Sequence, residues 1–268
     1  MSEIIKEVDL SEKIEKIMSV AIENENKVLI RKMFEKQDEL NDHTNGSTWR
    51  LNKNLKWYRA IWTETAELID YTNWKWWKQQ DTNLKDIEME VIDIWHFMMS
   101  DMMTYVNIDT CSETVYMAFK NKFEYPSRLA FSEVQECAEF LAYKTLSDQK
   151  FHLEAFIKLC STLNLNIEQI YKLYMGKNVL NKFRQVNGYK QKQYQKMWDG
   201  KEDNFYLMKY LDGVIEVGED FEEVIYRKLQ DTYENYILID PPLNVTFTGE
   251  SGKSGVLGVS GKSGGPIM

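Results

Sequence analysis

Two stretches decide the fold: ETAELIDYTNWKWWK, residues 64–78, and EMEVIDIWHF, residues 88–97. Each carries a carboxylate couple spaced i, i+3, Glu64/Glu67 in the first and Glu90/Asp93 in the second. On a helix that spacing sends both side chains out of one face, about one turn apart. Each couple is embedded in apolar residues: Ile61, Trp62, Ala66, Leu68 and Ile69 around the first, Met89, Val91, Ile92, Ile94 and Trp95 around the second. Four carboxylates on two such helices are costly to bury unpaired. A cluster of Mg²⁺ ions resolves that cost, because hard cations take carboxylate oxygens and keep waters or phosphates as further ligands. The pattern reads as metal-dependent phosphate chemistry on a helical scaffold.

Acidic pairs are common in this chain, which holds 42 Asp and Glu against 33 Lys and Arg. An acidic pair on a helix is usually a solvated face. Glu12/Glu15, beside Lys13 and Lys16, fits that description. The longer ladder Glu133/Glu136/Glu139 is intermediate, and its pattern alone does not separate it from a site.

Working outward, the 268 residues are 43% hydrophobic, enough to bury a full core as one large domain or two lobes. Prolines number four, apolar spacing is mostly helical, and strand-like alternation is scarce. An all-α protein follows, with helices expected over about 10–41, 55–71, 84–107, 167–183 and 216–236. Two more are expected within 112–165, broken near Pro126, and Pro241-Pro242 ends regular structure. Cys111, Cys137 and Cys160 have no metal-ligand spacing and read as reduced, buried thiols. The charged start lacks a signal-peptide core, and no apolar run approaches the roughly 18 residues of a membrane span. A cytoplasmic protein with no membrane contact is expected.

Residues 1–242 read as the catalytic unit, with 112–165 as candidate inserted or mobile helices, and 243–268 as a flexible Gly/Ser-rich tail. The tail holds Gly-Lys-Ser twice, at 252–254 and 261–263. A phosphate loop needs a Gly five residues before each Gly-Lys, and those positions hold Phe247 and Val256, so that reading fails.

Charge placement is the second signal. Lys172–Lys196 contains seven basic residues and no acid, inside a chain of net charge −9. Lys177, Asn181 and Arg184 lie at i, i+4, i+7, one helical face whose donors suit a polyphosphate. The acidic balance argues against general nucleic-acid binding. A third constellation is Gln37 and Asn41, i, i+4 amides able to read a base with adjacent carbonyl and N–H groups, with Trp49 able to stack on its ring. His96, one turn after Asp93, reads as a structural histidine or a partner of the carboxylates.

Taken in order, Gln37-x-x-x-Asn41, Glu64-x-x-Glu67 followed by WKWWK, Glu90-x-x-Asp93 and GKNVLNKFRQVNGYK resemble the dimeric all-α dUTPases, within the all-α NTP pyrophosphatase superfamily that includes MazG-like enzymes. The resemblance runs from about residue 30 to 195. It implies a helical bundle with a rigid and a mobile lobe, a homodimer, and hydrolysis of dUTP, and of dUDP as well. It assigns Glu64, Glu67, Glu90 and Asp93 to two or more Mg²⁺ ions, with Mn²⁺ able to substitute and Glu64 orienting and deprotonating the attacking water. Gln37 and Asn41 would read uracil, with Trp76 or Trp77 lining the base and sugar pocket. Lys177, Asn181, Arg184, Tyr189 and Lys190 would hold the phosphates. A MazG-like or dCTP-directed pyrophosphatase would keep the carboxylates and change the base pocket. A helical partner-binding protein is the non-enzymatic alternative, and phage members of the family bind repressor proteins.

Overall fold

The computed structural model describes residues 2–124 and 133–239, with side chains over 21–121 and 133–237. The break expected at Pro126, the Pro241-Pro242 stop and the tail at 243–268 lie outside the described residues. The chain is all-α, apart from one short hairpin among the described residues.

The centre of the bundle is α3 (Leu84–Met103). Its apolar residues occupy nearly every heptad position, so it buries most of its circumference: Met89, Val91, Ile92, Ile94, Trp95, Met98 and Met99 are all inaccessible to solvent or nearly so. The helix starts cleanly because the Asn83 side chain accepts from the Asp86 backbone N–H, satisfying one of the four orphan donors of the first turn. Around it pack α1 (Ser2–Asn45), α2 (Trp57–Asp70), α4 (Ile108–Glu124) and α7 (Ile167–Val186). Trp95 is the hub of that packing, stacked on Phe156 at 5.4 Å and met edge-on by Phe34 at 5.9 Å.

Two further helices, α5 (Val134–Asp148) and α6 (Leu153–Thr162), cover the outer side of α2 and α4. The region expected to hold two helices therefore holds three. The additional break is local: Gln149 takes a left-handed φ of 51° that ends α5, and the His152 ring accepts from the Ala155 N–H to start α6. The first helix is also longer than expected, running from Ser2 to Asn45. A capping box fixes the start of α7, where Asn166 and Gln169 each accept the other's backbone N–H at 2.8 and 2.9 Å.

After α7 the chain turns back. Strands β1 (Met197–Trp198) and β2 (Lys201–Glu202) pair antiparallel across Asp199-Gly200, both at positive φ (46° and 71°) as a two-residue hairpin turn requires. Helices α8 (Asp203–Asp212) and α9 (Phe221–Ile239) then pack on α7. At Gly176 a Cβ would come within 2.8 Å of the Leu211 side chain, so Leu211 of α8 packs directly onto the α7 backbone there. Trp198, Tyr194, Phe183 and Tyr233 pack ring against ring and anchor the hairpin to α7 and α9.

Candidate active site

The helix spacing read in the sequence becomes a cavity of about 480 Å³ between α1, α2, α3 and α7, closed on one side by the hairpin and α8. Each helix contributes one face. Gln37, Leu40, Asn41 and Thr44 come from α1, and Trp57, Glu64 and Glu67 from α2. Glu90, Asp93, His96 and Phe97 come from α3, and Lys177, Asn181 and Arg184 from α7.

One end is anionic. Ligand oxygens of Glu64, Glu90 and Asp93 lie within 4.8 Å of one another. Burial, then the Asp93 charge, then that of Glu67 raise the Glu64 carboxyl to about 7. Burial and Asp93 raise Glu90 to about 9, so the Glu64–Glu90 pair retains a shared proton at neutral pH. Oε2 of Glu90 is buried and has no hydrogen-bond partner. A buried carboxylate oxygen left without a donor, beside two more carboxylates, is what a divalent cation would satisfy, and all-oxygen donors suit a hard ion. The acidic cluster therefore fits a metal. Glu67 lines the same cavity but is exposed and stands outside this group of three. Glu133, just before α5, and Glu136 and Glu139 on it are all exposed, so that ladder faces solvent.

Cations face the carboxylates, already engaged. Lys177, only 2% exposed, donates to Asp93 Oδ2 at 2.7 Å and to Asn204 Oδ1 at 3.0 Å. Arg184 is gripped by Asp203 through two hydrogen bonds of 2.8 and 2.7 Å and also reaches Asn181 Oδ1 at 3.2 Å. Burial works against its charge, and Asp203 more than offsets that, holding Arg184 charged. The basic run does not act as a unit: Lys172 donates to the Val214 carbonyl and Lys182 pairs with Glu222, both away from the cavity. Tyr189 lines the cavity, whereas Lys190 is exposed and donates to the Thr44 carbonyl.

The other end carries a closed polar network whose polarity can be worked out. Ser100 donates its O–H to the His96 carbonyl at 2.9 Å, so its lone pairs are left to accept. They take Gln37 Nε2 at 3.1 Å and Asn41 Nδ2 at 2.9 Å, which fixes the orientation of both amides. Gln37 Oε1 then faces His96 Nδ1 at 2.6 Å, so Nδ1 carries the proton and Nε2 keeps a lone pair. Burial pushes His96 down to about 3, which keeps the ring neutral. Nε2 is buried without a partner in the cavity wall.

Aromatic placement differs from the sequence expectation. Trp49 is 1% exposed, donates to Asp38 and packs edge-on against Trp57 at 5.9 Å; Trp57 is the ring that lines the cavity, with Phe97. Trp76 and Trp77 do not line it: they are 89% and 57% exposed and form an edge-to-face cluster with Trp74 in the α2–α3 loop. Sequence reasoning missed Trp57, Tyr71, Ser100, Lys196, Glu202, Asp203 and Asn204. The Asp-Gly turn at 199–200 signalled a hairpin that would bring the last four together, and the i+4 step from His96 placed Ser100 on the same face.

Among the described residues no helix is long and apolar enough to cross a membrane. No curated protein matches the chain. A family model described as dUTPase matches residues 29–189, more than half of its length. That segment supplies the carboxylate face, the amide face and most of the cation face of the cavity; the chain belongs to the dimeric all-α dUTPases, nucleotide pyrophosphohydrolases that act on dUTP.

Proposed function

We propose that this dUTPase hydrolyses dUTP to dUMP and pyrophosphate by attack of water on the α-phosphorus, supported by Mg²⁺ at Glu64, Glu90 and Asp93, with Glu67 at the rim of the same site. The observation that carries the reading is the orphaned Glu90 Oε2 beside the Glu64 and Asp93 oxygens. Two or more Mg²⁺ ions, or Mn²⁺ in their place, would neutralise the phosphate oxygens and acidify the attacking water. Glu64 would orient the attacking water and take its proton. Asn181, Arg184, Tyr189 and Lys196 line the cavity where the departing pyrophosphate would lie. Lys177 balances Asp93 and stands within reach of the same oxygens.

The base sits at the amide end. His96 Nε2 is a fixed acceptor and matches the N3–H of uracil; cytosine offers a lone pair at that position and is refused. Trp57 and Phe97 supply apolar faces for the ring. Hydrolysis of dUDP by the same water, and assembly as a homodimer, follow from the family's precedent.

Pyrophosphate release from dUTP with Mg²⁺, beside dTTP, dCTP and UTP, tests the reading for wild type and Glu64→Gln. Selective dUTP turnover lost in Glu64→Gln is expected. Comparable turnover of dCTP would overturn the base assignment, and full activity of Glu64→Gln would overturn its role as base. Sedimentation measures the homodimer.

A further inference from the structure

The family-matched segment stops at residue 189, yet the cation wall is completed from beyond it. The geometry points to Asp203, at the first residue of α8, as a positioning residue that sets which edge of the Arg184 guanidinium faces the phosphates.

Asp203 is 0% exposed and does not line the cavity, so it does not meet substrate. A lone carboxylate at that depth would be severely destabilising, and every partner it has serves to fix it. Its Oδ1 accepts from Arg184 Nη2 at 2.7 Å, and its Oδ2 accepts from Arg184 Nε at 2.8 Å and from the Tyr194 hydroxyl at 2.8 Å. Its own N–H donates to the Lys196 carbonyl at 2.9 Å, which ties the residue to the start of the hairpin.

Guanidinium geometry turns that grip into an orientation. A guanidinium has five N–H donors in a planar fork. The bidentate carboxylate consumes the Nε/Nη2 edge, and the second Nη2 hydrogen leans toward Asn204 Oδ1 at 3.4 Å. Only Nη1 remains, bonded once to Asn181 Oδ1 at 3.2 Å and keeping one further donor. Arg184 thus offers phosphate one directed N–H from Nη1, and Asn204 links it to Lys177, which donates to the same Oδ1 at 3.0 Å. The same ion pair cancels most of the Arg184 charge, so Asp203 sets direction at the expense of raw attraction. Tyr194 and Trp198 hold the assembly against Phe183, one residue before Arg184.

This inference rests on the dUTP reading of the cavity, and inhibition of dUTP turnover by two probes separates the two. Magnesium pyrophosphate reports the phosphate end and deoxyuridine the base end. In Asp203→Asn the pyrophosphate inhibition constant and the KM for dUTP are expected to rise about 10- to 100-fold, the range for weakening a charge-assisted pair. The deoxyuridine constant should stay at its wild-type value. In an Arg184→Ala background, Asp203→Asn should add no further loss for pyrophosphate, since it acts through Arg184. Tyr194→Phe, which removes one bond to Asp203 and no charge, should give a smaller loss of the same pattern, and carries the test if Asp203→Asn does not fold. Equal weakening of both probes, or of neither, would overturn the inference. A wild type without dUTP turnover would overturn the dUTP reading and this inference with it.

Discussion

Glu90→Gln should make the metal-free protein more stable while removing its activity, and the gain should depend on pH. Burial and the Asp93 charge raise the Glu90 carboxyl from 4.5 to about 9 in the folded chain. A raised carboxyl means that the folded state holds a proton the unfolded chain has released. Its stability is therefore intact below about pH 4.5 and is lost progressively as pH rises toward 9. Each pH unit in that window costs about 1.4 kcal/mol, so between about pH 5 and pH 7 Glu90 by itself costs wild type on the order of 2–3 kcal/mol. Glutamine keeps the shape, never ionises and does not incur this loss. At about 2–4 °C of melting temperature per kcal/mol for a domain of this size, the advantage of Glu90→Gln should widen by roughly 5–10 °C between those two pH values. Thermal melts in EDTA across that range measure it. Adding Mg²⁺ should then raise the wild-type melting temperature and leave Glu90→Gln nearly unmoved, because only the former gains a ligand for its native state. Parallel melting curves with pH, or a variant less stable than wild type at neutral pH, would refute the assignment of Glu90 as a strained, metal-directed carboxylate.

Mg²⁺ affinity should climb with pH by about tenfold per unit between roughly 7 and 9, as one proton leaves Glu90, and more steeply below 7, where Glu64 is protonated too; calorimetry in buffers of different ionisation heat counts the protons, and an affinity flat with pH contradicts the shared-proton cluster. Ser100→Ala strands the Gln37 and Asn41 amides, so it should cost about 1–3 kcal/mol of stability. The same variant frees the tautomer of His96 and should narrow the preference for dUTP over dCTP, which competition assays read directly. Trp76→Ala removes a ring that is 89% exposed, so melting should shift by less than about 0.5 kcal/mol in equivalent terms; a rise in KM on that background would report contact of the α2–α3 loop with substrate rather than loss of fold.

The sequence was most legible where function is a direct projection of helix geometry. Glu64, Glu90 and Asp93 could be picked out because i, i+3 spacing and apolar flanks both survive folding, and the same test failed for Glu133, Glu136 and Glu139, whose exposure only packing decides. Gln37 and Asn41 were visible as an i, i+4 pair, but the Ser100 hydroxyl that orients them lies 59 residues beyond Asn41, and no local rule connects the two. Lys177 and Arg184 were read as free donors on one face; their pairing with Asp93 and Asp203 is tertiary and alters what they can do. Tryptophans were least legible, since the forces that bury Trp49, line the cavity with Trp57 and leave Trp76 in solvent depend on which loop can reach the core.

The charges of the assembled cavity add a constraint that no single residue shows. Five carboxylates line it (Glu64, Glu67, Glu90, Asp93 and Glu202), against Lys177, Arg184 and Lys196. Two of those cations are already matched, Lys177 by Asp93 and Arg184 by Asp203, leaving Lys196 as the one lining cation with no ion pair among the described residues. A triphosphate approaching this arrangement meets net negative charge at close range in a partly desolvated space, where repulsion is strong. The proton shared by Glu64 and Glu90 relieves only part of it. Divalent cations held by the acidic cluster, as proposed, would change the sign of the encounter, and by linkage whatever they added to the affinity for dUTP, dUTP would add to theirs. On the proposed reading, substrate binding and metal binding at this cavity would be one coupled event, and the carboxylates that repel one another in the metal-free fold would be what makes that coupling strong.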